Sequence, residues 1–380
     1  MRVALVLAGP YPDLRGSQVL VQQLASGIRS RGHAVYLVTY GAGASGRPGP
    51  RPGRLVRDAV LVARLWQTVR REAVDVIHAH NYEAAIASLL VGRATGRPVV
   101  YHGHNALAEE LPLYFRARSA RRLARGLGRL LDAQVPRRAD FCIAVTEELG
   151  EILRRRGVAD EDLACIAPAA TPRETAGHHP PRGSTGLVCY AGNLDGYQNL
   201  GFLLRSFARV RARVPAARLV LVTHAAPGAL AGAAGPGVEI VRAASYDEVR
   251  ARLDAADVAV SPRAERSGFP MKLLNYMAAG KAIVASAGSA KGLRDGVTGR
   301  IVPDGDDAGF AAAVVELLSD APTRARFGAA ARRAVEDAQA WDGVLDRIEG
   351  IYRYVLAARG AASTQPETSA TTGLSVASTE

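Results

Sequence analysis

Lys272 and Asn275 are the residues whose types and spacing first suggest chemistry. They stand three positions apart in the stretch 265–286, ERSGFPMKLLNYMAAGKAIVAS. On an α-helix that spacing puts an ammonium and an amide on one face, while Leu273, Leu274 and Met277 turn toward a sheet. Pro270 suits a first helical turn, where its missing N–H costs nothing, and Gly280 can end the helix in the left-handed conformation, so the pattern predicts a helix over about 270–279. A helix entered through Gly268, Phe269 and Pro270 offers unpaired N–H groups and the positive end of its dipole to an anion. Lys272, inside the first turn, adds a full charge. The chemistry implied is phosphate binding, against the plainer reading of a solvated lysine and a surface amide.

Histidines form the second group. Asp75-Val-Ile-His-Ala-His80 ends a strand, and alternation puts His78 and His80 on one face. Two such residues could begin a metal site, but the spacing supplies no third ligand, and cleft-lining histidines without a metal are the expectation. A further strand over about 98–101 runs into His102-Gly-His104-Asn105. Ligands bind at the carboxyl ends of strands in open α/β sheets, so His102 or His104 can face a substrate or be satisfied within the loop.

The elements that must position these residues alternate strand and helix throughout. Met1-Arg-Val-Ala-Leu-Val-Leu-Ala8 reads as a buried strand and neither a signal peptide nor a membrane span, and it feeds a helix over about 18–31 and a strand at 35–39. The first loop, Gly9-Pro-Tyr-Pro-Asp-Leu-Arg-Gly16, lacks the glycine spacing of a dinucleotide site, which excludes NAD there. Residues 169–185 are rich in proline, glycine and histidine and read as a linker. The pattern then restarts, with strands at 187–190, 218–223, 257–261 and 282–286. The expected fold class is α/β, two Rossmann-like doubly wound domains facing across a cleft. The expected boundaries are 1–168, the linker, 186–340, a helix at 341–360 that crosses back to the first domain, and a disordered Ser/Thr-rich tail at 361–380.

Composition narrows the class. The 380 residues, 48% apolar, can fill two cores. Cys142, Cys165 and Cys189 look like small hydrophobes in a reducing compartment, so a cytoplasmic location is expected. The formal charge of +12 calls for an anionic partner. Eight arginines lie between Arg116 and Arg138 against one acid, Asp132. On a helical wheel Arg118, Arg122, Arg125 and Arg129 oppose Leu123, Leu127, Leu130 and Leu131. Such a helix is either a solvated basic face or a dock for an anionic membrane surface; nothing resembling a nucleic-acid motif accompanies it.

The segment Gly268-Phe-Pro-Met-Lys-Leu273 with Ala279-Gly-Lys281, together with Arg31-Gly-His33 and Asp295-Gly-Val-Thr-Gly299, resembles glycosyltransferase family 4, the group 1 glycosyltransferases. The resemblance covers about residues 1–356. It implies the glycosyltransferase B fold and transfer of a sugar from a nucleotide diphosphate donor to a hydroxyl of a glycan or glycolipid, retaining, metal-independent and without a cofactor. It places Lys272 on the donor diphosphate and Asn275 on the ribose or sugar, with Gly268, Phe269 and Pro270 around them. His104 falls near the donor sugar, and Gly16 and Ser17 lie on an acceptor-side loop. Ser267 and Asn275 occupy positions where the family commonly has glutamates, and Glu265 can stand in for the displaced acid. Asn193 and Gln198 fall where the family has Arg and Lys. The same fold also serves nucleotide-sugar epimerases, and a catalytically silent sugar-nucleotide-binding subunit is the third alternative.

Overall fold

The computed structural model describes residues 1–11, 16–41, 52–170, 186–224, 232, 235–264, 268–338 and 341–363. The expected linker, tail, Glu265 and Ser267 lie wholly or largely outside them.

The apolar run after Met1 forms β1 (Arg2–Pro10), which is buried from Val3 to Gly9. It lies between β2 (Ala34–Gly41) and β3 (Val76–His80). β4 (Val99–Gly103), β5 (Phe141–Ala144) and β6 (Leu163–Cys165) continue the sheet in the order β2-β1-β3-β4-β5-β6, all parallel. Strands covered on both faces carry continuous apolar runs instead of alternation, and most of these do. The connecting helices are α1 (Gly16–Ser30), α2 (Pro52–Arg71), α3 (Tyr82–Thr95), α4 (Leu107–Glu110), α5 (Arg118–Gln134) and α6 (Glu147–Arg155).

A second parallel sheet repeats the plan with β7 (Leu187–Ala191), β8 (Arg218–Thr223), β9 (Val238–Arg242), β10 (Val258–Ser261), β11 (Ala282–Ser286) and β12 (Arg300–Val302), ordered β12-β11-β10-β7-β8-β9. The edge strand β9 is absent from the sequence-based expectation because its Val-Glu-Ile-Val-Arg is half-exposed and carries two charges. The accompanying helices are α7 (Leu200–Arg213), α8 (Tyr246–Asp254), α9 (Met271–Ala278), α10 (Asp307–Ser319) and α11 (Ala321–Ala338). In each sheet the direction of winding reverses beside the first strand, between β1 and β3 and between β7 and β10. The loops after those strands part there and open a crevice.

α12 (Trp341–Ser363) follows the second-sheet helices in sequence, yet Leu345, Ile348, Tyr352 and Val355 are buried in the core of the first sheet. Burying such side chains stabilises by about 1.5–3 kcal/mol each. Gly27 lets α1 approach: a Cβ there would stand 2.8 Å from Leu345. Arg31 fastens the other side, donating to the Asp342 carbonyl at 2.9 Å and pairing with Asp346 and Glu349.

Two details differ from expectation. Pro270 is the N-cap of α9, one residue before the first turn, while Gly280 does adopt φ 61°. α5 is basic, but it rests on neither predicted stripe. Its buried face is Ala124, Gly128 and Asp132. A Cβ on Gly128 would lie 2.6 Å from the Ala108 backbone, so the glycine is what brings α5 against α4. Asp132 accepts from Tyr82 Oη at 2.5 Å and from the Leu107 and Ala108 N–H groups at 2.8 and 3.0 Å, capping α4 from the side. Leu123, Leu127 and Leu130 are consequently 77%, 48% and 56% exposed beside the arginines.

Candidate active site

The crevice of the second sheet holds a cavity of about 150 Å³ between the loops after β7 and β10, closed on the far side by Gly16 and Val19 of α1. Local sequence delivers its floor. α9 starts at Met271, so Lys272 sits in its first turn with Leu273 and Leu274 buried beneath. The ammonium lies 4.2 Å from the centroid of the Tyr190 ring, donates to Tyr190 Oη at 3.0 Å and is held by the Gln198 side-chain oxygen. Tyr190 Oη in turn donates to the Asn193 carbonyl at 2.7 Å. Between an aromatic face and an amide oxygen the side-chain nitrogen is held in one orientation. Tyr276, one turn on, bridges the backbone N–H and carbonyl of Ala191 at 2.7 and 3.2 Å, tying α9 to the end of β7.

The sequence-predicted residues gather unevenly. Lys272, Asn275, Asn193, Phe269, Pro270 and Gly16 all line the cavity, with Asn275 accepting from Tyr246 Oη at 3.3 Å. Ser17 turns its hydroxyl to the Gln18 amide oxygen at 2.8 Å. Gly268 lies at a contact between the two domains: a Cβ there would be 2.5 Å from Arg263 Nη2 and 3.3 Å from the His104 carbonyl. Sequence reasoning missed Tyr190 and Arg263, near the ends of the two switch-point strands, and Tyr197, Tyr246 and Arg250, which line the cavity from the loop after β7 and from α8. Arg263 lies 5.3 Å from the Tyr197 ring centroid and, with Arg250, joins Lys272 around the cavity. The charges absent from positions 193 and 198 are therefore made up from other elements. The signal that could have found Arg263 is its place two residues beyond β10, at the carboxyl end of a switch-point strand.

Across the cleft, His78 and His80 do not line the opening; both are fully buried, and His102, the third imidazole that sequence spacing could not supply, arrives from β4 opposite His80. His78 Nδ1 meets Tyr352 Oη at 2.6 Å and His78 Nε2 meets His102 Nδ1 at 3.1 Å, while His80 Nδ1 meets His104 Nε2 at 3.1 Å. His78, His80 and His102 bring one nitrogen each within 4.8 Å of one another, the composition of a metal centre. Yet His78 bonds His102 directly, and the His78 and His80 rings lie stacked at 4.5 Å and 21°, so their lone pairs do not converge on one point. Burial pushes His78 down to about 3 and His104 to about 4, and lowers His80 and His102 strongly, so all four are neutral near pH 7. Of the four, only His104 is more than marginally exposed.

A second cavity, about 510 Å³, opens between α5, α6 and the loop after β4. Arg125, Arg129 and Arg156 line it and make no ion pair among the described residues. Among those residues, too, no helix is long and apolar enough to cross a membrane.

Residues 14–174 match the family described as Glycosyltransferase Family 4, and residues 185–320 the family described as Glycosyl transferases group 1. The phosphatidyl-myo-inositol mannosyltransferase of Mycolicibacterium smegmatis is 27% identical over 376 residues, covering 93% of this chain and 94% of its own. Among solved structures, sucrose-phosphate synthase of Thermosynechococcus elongatus superposes with TM-score 0.78 at 17% identity, over 94% of this chain and 100% of that one. An Anabaena protein, HepE, in complex with UDP-glucose superposes with TM-score 0.70 at 17% identity, over 93% and 100%. At such identities the structural likeness speaks to the fold alone, whereas the two family matches together span well over half of the sequence. The chain belongs to the family 4, group 1 glycosyltransferases and has their two-domain glycosyltransferase B fold.

Proposed function

We propose that the enzyme transfers a hexosyl unit from a nucleoside diphosphate sugar to a hydroxyl of an inositol-headgroup lipid, at the cytoplasmic face of an anionic membrane. The observation that carries the donor half is the convergence of Lys272, Arg263, Arg250 and the N-terminus of α9 on one cavity facing the N-terminus of α1. The charge that builds on a departing diphosphate is stabilised by groups fixed in advance, and here three cations and free N–H groups stand ready without a divalent ion. The UDP-glucose bound by the Anabaena neighbour supports the same reading of the donor.

In the transfer, the bond from the anomeric carbon to the diphosphate oxygen breaks and a bond to the acceptor oxygen forms. The acceptor proton passes to the departing phosphate oxygen. Among the described residues no carboxylate lines the donor cavity to take that proton, which favours attack from the leaving-group side and retention of configuration. His104, whose carbonyl faces Gly268 across the contact between the domains, is the residue read as contacting the sugar.

For the acceptor, the lipid named for the mycobacterial relative carries a phosphodiester, and the cavity of Arg125, Arg129 and Arg156 offers three guanidinium groups to such an anion. The exposed leucines of α5 lie beside it, so one helix can both insert shallowly and attract an anionic surface, at about 1 kcal/mol per basic residue.

The test incubates the protein with a panel of UDP- and GDP-sugars and vesicles of phosphatidylglycerol and phosphatidylinositol, against neutral vesicles, at low and high salt. Free nucleoside diphosphate and a glycosylated inositol lipid are expected, with flotation on anionic vesicles that high salt reverses. An isomerised sugar nucleotide would move the chain to the epimerases, and nucleotide binding without turnover would make it a silent subunit.

A further inference from the structure

We propose that His80 is a positioning residue for His104: its Nδ1–H donates to His104 Nε2 and fixes that ring with its proton on Nδ1, so that His104 meets the bound sugar as a hydrogen-bond donor and not as a base. The functional half of this inference rests on the reading that His104 faces the transferred sugar.

The four histidines divide into two sets. His102 and His78 form a chain ending on the Tyr352 hydroxyl of α12, and His80 pairs with His104 alone. Burial keeps every ring neutral near pH 7, so each has one N–H and one lone pair, and the contact of 3.1 Å between His80 Nδ1 and His104 Nε2 needs one of each. Two arrangements satisfy it. If His104 donates, the proton of His80 must sit on its Nε2, an atom buried with no hydrogen-bond partner among the described residues. If His80 donates, only a lone pair is left at that atom. Among buried backbone groups a stranded N–H is rarer than an under-used acceptor, and the same asymmetry selects the second arrangement.

Rigidity makes His80 suited to the task. It ends β3, is paired in register with His102, and lies stacked against His78 at 4.5 Å and His102 at 4.9 Å. His104 lies one residue beyond β4, in a loop that meets Gly268 through its carbonyl, and its Nδ1 makes no hydrogen bond among the described residues. His80 itself is wholly buried and does not reach the substrate. Groups of this kind act by fixing the orientation and tautomer of the ring that does.

Nitrogen-15 NMR of the histidine rings in the full-length protein reads the assignment directly. His104 is expected with a bare, accepting Nε2 and a protonated Nδ1; the reverse tautomer overturns the proposal. In the transfer assay, His80→Leu removes the donor and His80→Asn restores one near the Nδ1 position. His80→Leu should lower kcat about 10-fold or more with KM for the sugar nucleotide within about 2-fold, and His80→Asn should recover most of the loss. Equal losses in both variants, or full kcat in His80→Leu, overturn it. His104→Ala separates the levels: full turnover there overturns the placement of His104 on the sugar, whereas a loss there with none in His80→Leu overturns the role of His80 alone.

Discussion

On the second-sheet side of the cleft, Lys272 is half-buried, and the Tyr190 ring and hydroxyl and the Gln198 amide replace part of the water around its side-chain nitrogen. On the first-sheet side, four imidazoles stand together with none bonded to a carboxylate among the described residues, and burial leaves them neutral. The difference teaches how one cleft can divide its work. On the proposed reading, the diphosphate is met by the side chain of Lys272 in the first turn of α9. A sugar carries hydroxyls, and on the same reading His104, the only ring of the four that is more than marginally exposed, would offer them a directed hydrogen bond without attracting the phosphates to the wrong wall.

The largest effect expected from this contrast is acid sensitivity of the histidine side. The folded pKa values of His78, His80 and His102 lie below the unfolded value near 6.5, so the folded state binds fewer protons. Their contribution is complete above that value and is lost as pH falls toward the folded pKa of each ring. For His78, pushed down to about 3, the loss is about 1.4 kcal/mol per pH unit below the unfolded value, and His80 and His102 add to it in the same direction. Denaturant unfolding followed from pH 8 to pH 4.5 should show the midpoint fall steeply below 6.5. A flat profile would mean that the rings are already hydrated or charged in the folded protein, and the contrast would collapse.

Next comes the charge itself. Lys272→Ala should lower turnover about 10²- to 10³-fold, the scale of removing one group aimed at developing charge. Calorimetry with a nucleoside diphosphate and its nucleoside sharpens the point: only the diphosphate should lose affinity, and equal losses would remove Lys272 from the phosphate.

The smallest effect tests the contact between the two sides at Gly268. Gly268→Ala puts a methyl 2.5 Å from Arg263 Nη2 and 3.3 Å from the His104 carbonyl. The arginine can swing aside, so a cost of about 1–3 kcal/mol is expected, mostly in kcat. If the contact with Arg263 is the cause, the double variant with Arg263→Ala should lose less than the sum of the two single ones; strict additivity would deny the coupling.

Much of the fold could be read from the chain because it is encoded locally. Val3 to Leu7, Val258 to Val260 and Ile283 to Ala285 are apolar runs bounded by turn residues, and both faces of their strands are covered. The capping serine of α8, Ser245, accepts from the Glu248 N–H at 3.2 Å, a contact between residues three positions apart. Lys272 could be placed in the first turn of α9 for the same reason. The strand β9 and the arginines at 250 and 263 could not, since half-exposed strands and scattered cations look alike in any surface segment.

The sequence by itself determined two doubly wound sheets, an apolar face on the last helix, and a lysine at a helix N-terminus. It did so because hydrophobic period and capping are properties of neighbouring residues. Only the tertiary structure decided that α5 rests on Ala124, Gly128 and Asp132 and leaves its leucines outside, that His102 completes a group begun by His78 and His80, and that Tyr190 and Gln198 seat Lys272. Those partners are 24 to 82 positions apart, and strand register and crossover direction bring them together, which no local pattern records.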